Sequence, residues 1–170
     1  GDDPYVTEFP QPSLGETTTS TVTLNVAYEF DTFTFRSISG YVDLEDVFRW
    51  DIAAGVNPAP GVYSASFDRR SDASATQFTQ ELQLLGDAYG ERLDWIFGLY
   101  WFTEEGDQTL RDDIPLFGLR NLLPTFLDVK TDSWAAFGQA TWQFTERVAA
   151  TLGGRYTRDE KEFVGSIQSF

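Results

Sequence analysis

Between residues 92 and 103 the chain places Leu93, Trp95, Phe97, Leu99 and Trp101 at every second position, with Asp94, Ile96, Gly98 and Tyr100 between them. Side chains two apart share a face only when the backbone is extended, so this period specifies a β-strand with one strongly apolar side. Val22, Leu24, Val26, Tyr28 and Phe30 repeat the pattern over residues 22–30, against Thr23, Asn25, Ala27 and Glu29. Residues 133–144 carry Trp134, Ala136, Gly138, Ala140, Trp142 and Phe144 on one face, so that rings bracket small residues. Residues 148–159 and 76–85 follow the same period, the latter with Gln80 as a misfit among Phe78, Leu82 and Leu84. Residues 33–44 are rich in β-formers, but their two faces are not separable from sequence and the register stays open.

The expected fold is therefore all-β, an antiparallel meander of about six long strands. Its connections alternate in length: short near Asp31-Thr32, 86–91 and 145–147, long over 45–75 and 104–132. Hairpins with tight ends on one side and long ends on the other characterise transmembrane barrels. The strands also reach the roughly 9–11 residues that cross a bilayer at a tilt. About six strands fall short of the smallest single-chain barrel of about eight, so a segment of a larger transmembrane β-barrel is expected, read as an excerpt of a longer precursor.

Composition narrows the function classes. The chain has no His and no Cys, which excludes a Ser-His-Asp triad, a cysteine nucleophile, a disulfide and an ordinary zinc site. No catalytic residue is assigned, no cofactor is implied, and an enzyme is not expected. A net charge of −15 repels phosphate backbones, so no nucleic acid is expected as a partner. The longest apolar run, residues 95–102, is far shorter than the about 20 residues of a spanning helix. Aromatic residues at 16% oppose disorder. Glu104, Glu105, Asp107, Asp112, Asp113, Asp128 and Asp132 crowd one long connection, but their spacing matches no EF-hand, and no metal ligand is assigned.

Two sets of residues are candidates for interaction. Trp95, Trp101, Trp134, Trp142, Phe144 and Tyr156 lie near strand ends, where rings form a membrane girdle with apolar bodies in lipid and polar edges among headgroups. In a soluble barrel or sandwich the same rings would point into a core. The apolar stretch 114–127 is expected as a compact loop with at most a short helical turn, since Pro115, Gly118 and Pro124 oppose a continuous helix. Its Phe117, Arg120, Leu123 and Phe126 are candidate substrate-binding residues, beside the plainer reading that the loop packs against its neighbours. Arg69, Arg70, Arg155 and Arg158 are able to meet an anionic ligand or lipopolysaccharide phosphate, but balancing nearby carboxylates is the preferred reading.

The stretch Trp134-Ala135-Ala136-Phe137-Gly138-Gln139-Ala140-Thr141-Trp142, followed by Leu152-Gly153-Gly154-Arg155-Tyr156-Thr157-Arg158-Asp159-Glu160-Lys161, resembles the middle barrel of TonB-dependent receptors. Gln80-Glu81-Leu82-Gln83-Leu84, Asp94 to Trp101 and Ser37-Ile38-Ser39-Gly40-Tyr41 are similar in kind and follow the family's order over about residues 22–161. The resemblance implies that residues 1–170 are part of the barrel domain of such a receptor, with the plug domain and remaining strands outside them. It implies a bacterial outer-membrane location, surrounding lipid and lipopolysaccharide, and coupling to the TonB system through regions absent from this chain. It also implies energy-coupled uptake of a small nutrient such as a siderophore, cobalamin or a carbohydrate. A passive porin and a soluble β-barrel binding protein remain the alternatives.

Overall fold

The computed structural model describes residues 13–51, 68–114 and 119–168. They form six strands: β1 Leu14–Glu29, β2 Thr34–Asp51, β3 Asp68–Ala88, β4 Leu93–Ile114, β5 Leu119–Thr145 and β6 Val148–Ile167. Every sequential pair is antiparallel and the sheet order is β1-β2-β3-β4-β5-β6, the expected meander. The sheet is open, with β1 and β6 at its edges. No helix among the described residues is long and apolar enough to cross a membrane.

Three tight connections share one end of the sheet. The first is closed by a hydrogen bond from Phe30 N to Phe33 O of 2.8 Å. The second passes through Tyr89, Gly90 and Glu91, all at positive φ (58°, 69° and 63°). Thr145 and Val148 flank the third, with a register shift beside it.

The strands are longer than the sequence pattern suggested, running 16 to 27 residues. The expected long connections over 45–75 and 104–132 are corrected at their ends, since residues 45–51, 68–75, 104–114 and 119–132 are strand, and residues 52–67 lie outside the described residues. β2 continues to Asp51, β3 already begins at Asp68, β4 runs to Ile114 and β5 starts at Leu119. The alternation that reveals a strand fades there because both faces are polar, although the ladder continues. The expected compact loop at 114–127 is likewise corrected, since residues 119–127 belong to β5. Pro124 is accommodated because the β4–β5 register shifts between Leu110 and Asp112, placing two β5 residues opposite Arg111. A bulge is where a strand tolerates a residue without an N–H. Residues 115–118 lie outside the described residues.

Because paired residues share a face, the register sorts every side chain onto one of two surfaces. Phe97 pairs with Leu84 and Gly138, Leu84 with Phe35, and Phe35 with Tyr28. These define an apolar face, and the sheet has no second layer over it among the described residues. On that face Leu152 is 82% exposed and Trp101 51%, whereas the buried apolar residue among those described, Ala135, pairs with Tyr100 on the opposite face. Large apolar side chains left bare over a contiguous face mark a surface that meets lipid or other protein.

Candidate functional site

The apolar face carries a continuous band. On β4 it consists of Leu93, Trp95, Phe97, Leu99 and Trp101, paired in order with Trp142, Ala140, Gly138, Ala136 and Trp134 of β5. Large side chains on one strand thus meet small ones on the next, while a ring faces a ring at the upper end. Trp134 packs on Tyr156 with centroids 5.5 Å apart, and Trp101 meets Phe78 at 6.0 Å. At the lower end Trp142 packs on Tyr89 at 5.5 Å. From Leu93 to Trp101 is about 26 Å along the strand, which a tilt of 35–45° projects to about 20 Å, close to the apolar height of about 25 Å in outer-membrane barrels. Trp95, Trp101, Trp134, Trp142 and Tyr156 lie on this face by register, while Phe144 falls in the register shift between Gln143 and Thr145 and has no direct partner across the ladder. Phe78 and Tyr89 extend the aromatic rows, and were missed as members because neither sits in an unbroken alternating run.

The band contains one polar group. Ser37 and Ser39 on β2 and Gln80 on β3 share the apolar face. Ser39 Oγ donates to Gln80 Oε1 at 2.6 Å, and Gln80 Nε2 donates to Ser37 Oγ at 3.0 Å. The Gln80 amide also reaches the Ile38 carbonyl at 3.3 Å. The misfit in β3 is therefore answered from β2, across the ladder.

The opposite face is charged and aromatic. It presents Glu81, Gln83, Asp94, Gln139 and Arg155, paired with Tyr100, Gly98, Thr141, Ile96 and Phe137 respectively. The Arg155 guanidinium lies 5.5 Å from the Tyr100 ring centroid and 5.9 Å from that of Phe137, and its Nε donates to Thr157 Oγ1 at 3.0 Å. Such rings hold a cation electrostatically while leaving its other N–H groups available. A hydrogen bond from Gln83 to Glu81 orients the neighbouring carboxylate. At the tight-turn end, a cavity of about 490 Å³ is bordered by Asp87, Asp94, Gln139 and Thr141.

Beyond the upper rings, both faces are polar. On the charged face Arg69 forms a two-pronged ion pair with Asp112, Nε–Oδ1 2.6 Å and Nη2–Oδ2 2.8 Å, beside the Trp50 ring. Donation to Asp112 raises the Arg69 pKa against partial desolvation. On the other face Lys130 Nζ meets Glu105 Oε1 at 2.8 Å, which raises the lysine pKa.

The four candidate substrate residues are not gathered into one cavity. Phe126 pairs with Thr109 and so lies on the same side as the apolar band. Arg120, exposed near the start of β5, borders a separate cavity with Arg49, Arg70 and Arg111. Leu123 is placed only as backbone of β5, and Phe117 lies outside the described residues. Among the described residues no group of three acidic side chains is arranged to hold a metal ion.

A family model described as TonB dependent receptor-like, beta-barrel matches residues 1–167. The chain belongs to the TonB-dependent receptor β-barrel family. Among solved structures, this TonB-dependent receptor segment is similar to the ferric yersiniabactin uptake receptor FyuA from Yersinia pestis, with a TM-score of 0.70 and 20% identity. The match covers 90% of this chain and 22% of that receptor. At this identity the likeness establishes the shared barrel fold, of which this chain spans about a fifth of the other receptor's length. No curated protein matches the sequence.

Proposed function

We propose that residues 1–170 form part of the barrel wall of an outer-membrane receptor that takes up a scarce nutrient with energy from the TonB system. The observation carrying this reading is the apolar band, bounded by aromatic rows and registered across all six strands, with a charged face behind it. On this reading the band stands in lipid, the rings sit at headgroup level, and Glu81, Gln83, Asp94, Gln139 and Arg155 face the lumen. The tight turns are periplasmic and the long strand extensions extracellular.

The plug domain and remaining strands belong to parts of the receptor outside these residues, and TonB engages those parts. No covalent chemistry is required of the wall, which supports transport rather than catalysis. Ligand capture falls to the extracellular end, where Phe117, Arg120, Leu123 and Phe126 remain the candidates. A siderophore is the favoured nutrient class because the similar solved structure is a siderophore uptake receptor; cobalamin and carbohydrates are the alternatives within the same mechanism.

The test is uptake by cells expressing the full-length receptor, offered ferric siderophores, cobalamin or oligosaccharides, with the TonB system intact or deleted. Saturable uptake of one ligand that disappears with TonB is the expected result. Uptake that persists without TonB would identify a passive porin, and a chain recovered in solution without detergent would identify a soluble binding protein.

A further inference from the structure

In a chain of net charge −15, five of its twelve basic residues border one cavity. Arg49, Arg69, Arg70, Arg111 and Arg120 line it together with Asp68 and Asp113, in a volume of about 280 Å³ at the end of the sheet remote from the tight turns. Arg49 pairs directly with Arg70 across β2 and β3. Arg70 pairs directly with Arg111 across β3 and β4. Three guanidiniums therefore stand side by side on a single rung, on the same face as the apolar band. Like charges directly opposite one another destabilise a ladder unless counter-charge is supplied.

Carboxylates account for only part of the group. Asp72 binds Arg70 at 2.7 Å and lies 3.7 Å from Arg111. Arg69 is held on the opposite face by Asp112. Arg49 and Arg120, both exposed, have neither an ion pair nor a hydrogen bond among the described residues. Guanidinium is the side chain whose fork of N–H donors matches phosphate and carboxylate oxygens.

Placement narrows the anion's origin. Arg111 lies beyond Trp101 on β4 by about 33 Å along the strand, or about 25 Å in height at a tilt of 35–45°. The rung faces away from the lumen, well above the headgroup level marked by the rings. A nutrient bound for the lumen has no reason to visit this wall, whereas the saccharides of outer-leaflet glycolipids surround it.

We infer that Arg49, Arg70 and Arg111, with Arg120 at the border of the same cavity, form an outer-wall site for a phosphate-class oxyanion, supplied by the phosphorylated saccharide of lipopolysaccharide. The inference rests on the reading that the apolar band stands in the outer membrane. Asp68 and Asp113 limit the site to one such group, because they offset part of the positive charge.

The test uses the full-length receptor extracted from the outer membrane in detergent. Binding is titrated with phosphorylated lipopolysaccharide, with the same material after enzymatic dephosphorylation, and with inorganic phosphate. The comparison is between wild type, Arg49→Gln/Arg111→Gln, Arg49→Gln alone and the control Arg36→Gln, which removes one arginine from the opposite face. Phosphorylated lipopolysaccharide binding wild type and Arg36→Gln about tenfold or more tighter than either Arg49 variant binds it, with that preference abolished by dephosphorylation, supports the inference; tenfold is the scale of one charge-assisted hydrogen bond. Arginine-dependent binding of inorganic phosphate, with no effect of dephosphorylating the lipid, keeps the oxyanion site but assigns it a free anion. Equal binding by wild type and Arg49→Gln in every titration overturns the site, and that single exposed substitution is informative even if the double variant fails to assemble. Surface labelling of wild-type cells is read separately: a receptor absent from the outer membrane would sink the membrane reading itself, whatever the titrations show.

Discussion

The ring of Phe137 on β5 occupies the space in which a side chain on Gly98, its direct partner on β4, would begin. The same ring flanks the Arg155 guanidinium. Glycine at 98 thus lets an aromatic residue lie close to the neighbouring backbone and hold a cation on the charged face. Gly98→Ala is expected to destabilise the barrel by about 1–3 kcal/mol, the usual cost of overpacking. Phe137→Leu in the same chain should recover part of that loss by making room. Urea titration of the reconstituted full-length receptor measures both, and a neutral Gly98→Ala would show that the ring has freedom to move aside.

The β3–β4 turn holds Tyr89 and Glu91, neither of them glycine, at positive φ on either side of Gly90. A left-handed conformation costs an ordinary residue about 1–2 kcal/mol, whereas glycine adopts it freely at an entropic cost of about 0.5–1 kcal/mol. Glu91→Gly should therefore stabilise the turn by up to about 1 kcal/mol. Tyr89→Gly should gain less, because it also removes the ring that packs on Trp142. A higher unfolding midpoint for Glu91→Gly than for Tyr89→Gly is the expected order, and the reverse order would refute the strain argument.

Gln80 and Ser39 offer a third test. In an apolar surrounding, removing one partner of a hydrogen bond leaves the other unsatisfied. Ser39→Ala is expected to cost about 1 kcal/mol in wild type and much less in a Gln80→Leu background, since polar pairs in membranes couple by about 0.6–1.7 kcal/mol. Additive effects in the double-mutant cycle would mean that the two side chains act independently.

These residues also explain what was legible in the sequence. β4 could be read alone because Leu93, Trp95, Phe97, Leu99 and Trp101 make one side uniformly apolar, whereas the other mixes Asp94 and Gly98 with Ile96 and Tyr100. The register of β2 could not, because Ser37 and Ser39 interrupt its apolar side and their answer, Gln80, lies on another strand. Local periodicity carries no information about a satisfied polar pair across the ladder. The strand extensions were hidden for a related reason: above the upper rings, Glu105, Asp107 and Lys130 occupy the face that is apolar lower down, so alternation disappears while backbone pairing continues. Arg49, Arg70 and Arg111 are scattered in sequence and meet only through register. The candidate capture residues were chosen from an apolar run assumed to be one loop, and a strand with a bulge at Pro124 spreads such a run over two faces.

The assignment of faces is open to direct attack at Phe97 and Gln83. Phe97 lies midway between Leu93 and Trp101 on the apolar face and is 46% exposed. Gln83 lies nearby on the opposite face, paired with Gly98 and Arg36. If the apolar face is lipid-exposed, a guanidinium at 97 must be dragged into hydrocarbon or snorkel from near the middle of the band, and Phe97→Arg should cost about 2–4 kcal/mol. Gln83→Arg places the same group in a polar lumen beside Glu81, where water and a carboxylate receive it, so its cost should be under about 1 kcal/mol apart from repulsion by Arg36. Both variants change the chain's charge by the same amount, which removes net charge as an explanation for any difference. The measurement is the fraction of full-length receptor that reaches the compact, heat-modifiable barrel form, together with the urea midpoint of what does assemble. A severe defect confined to Phe97→Arg supports lipid on the apolar face. Equal defects would remove the distinction between the faces, and a defect confined to Gln83→Arg would reverse it, placing the aromatic rows around an enclosed core.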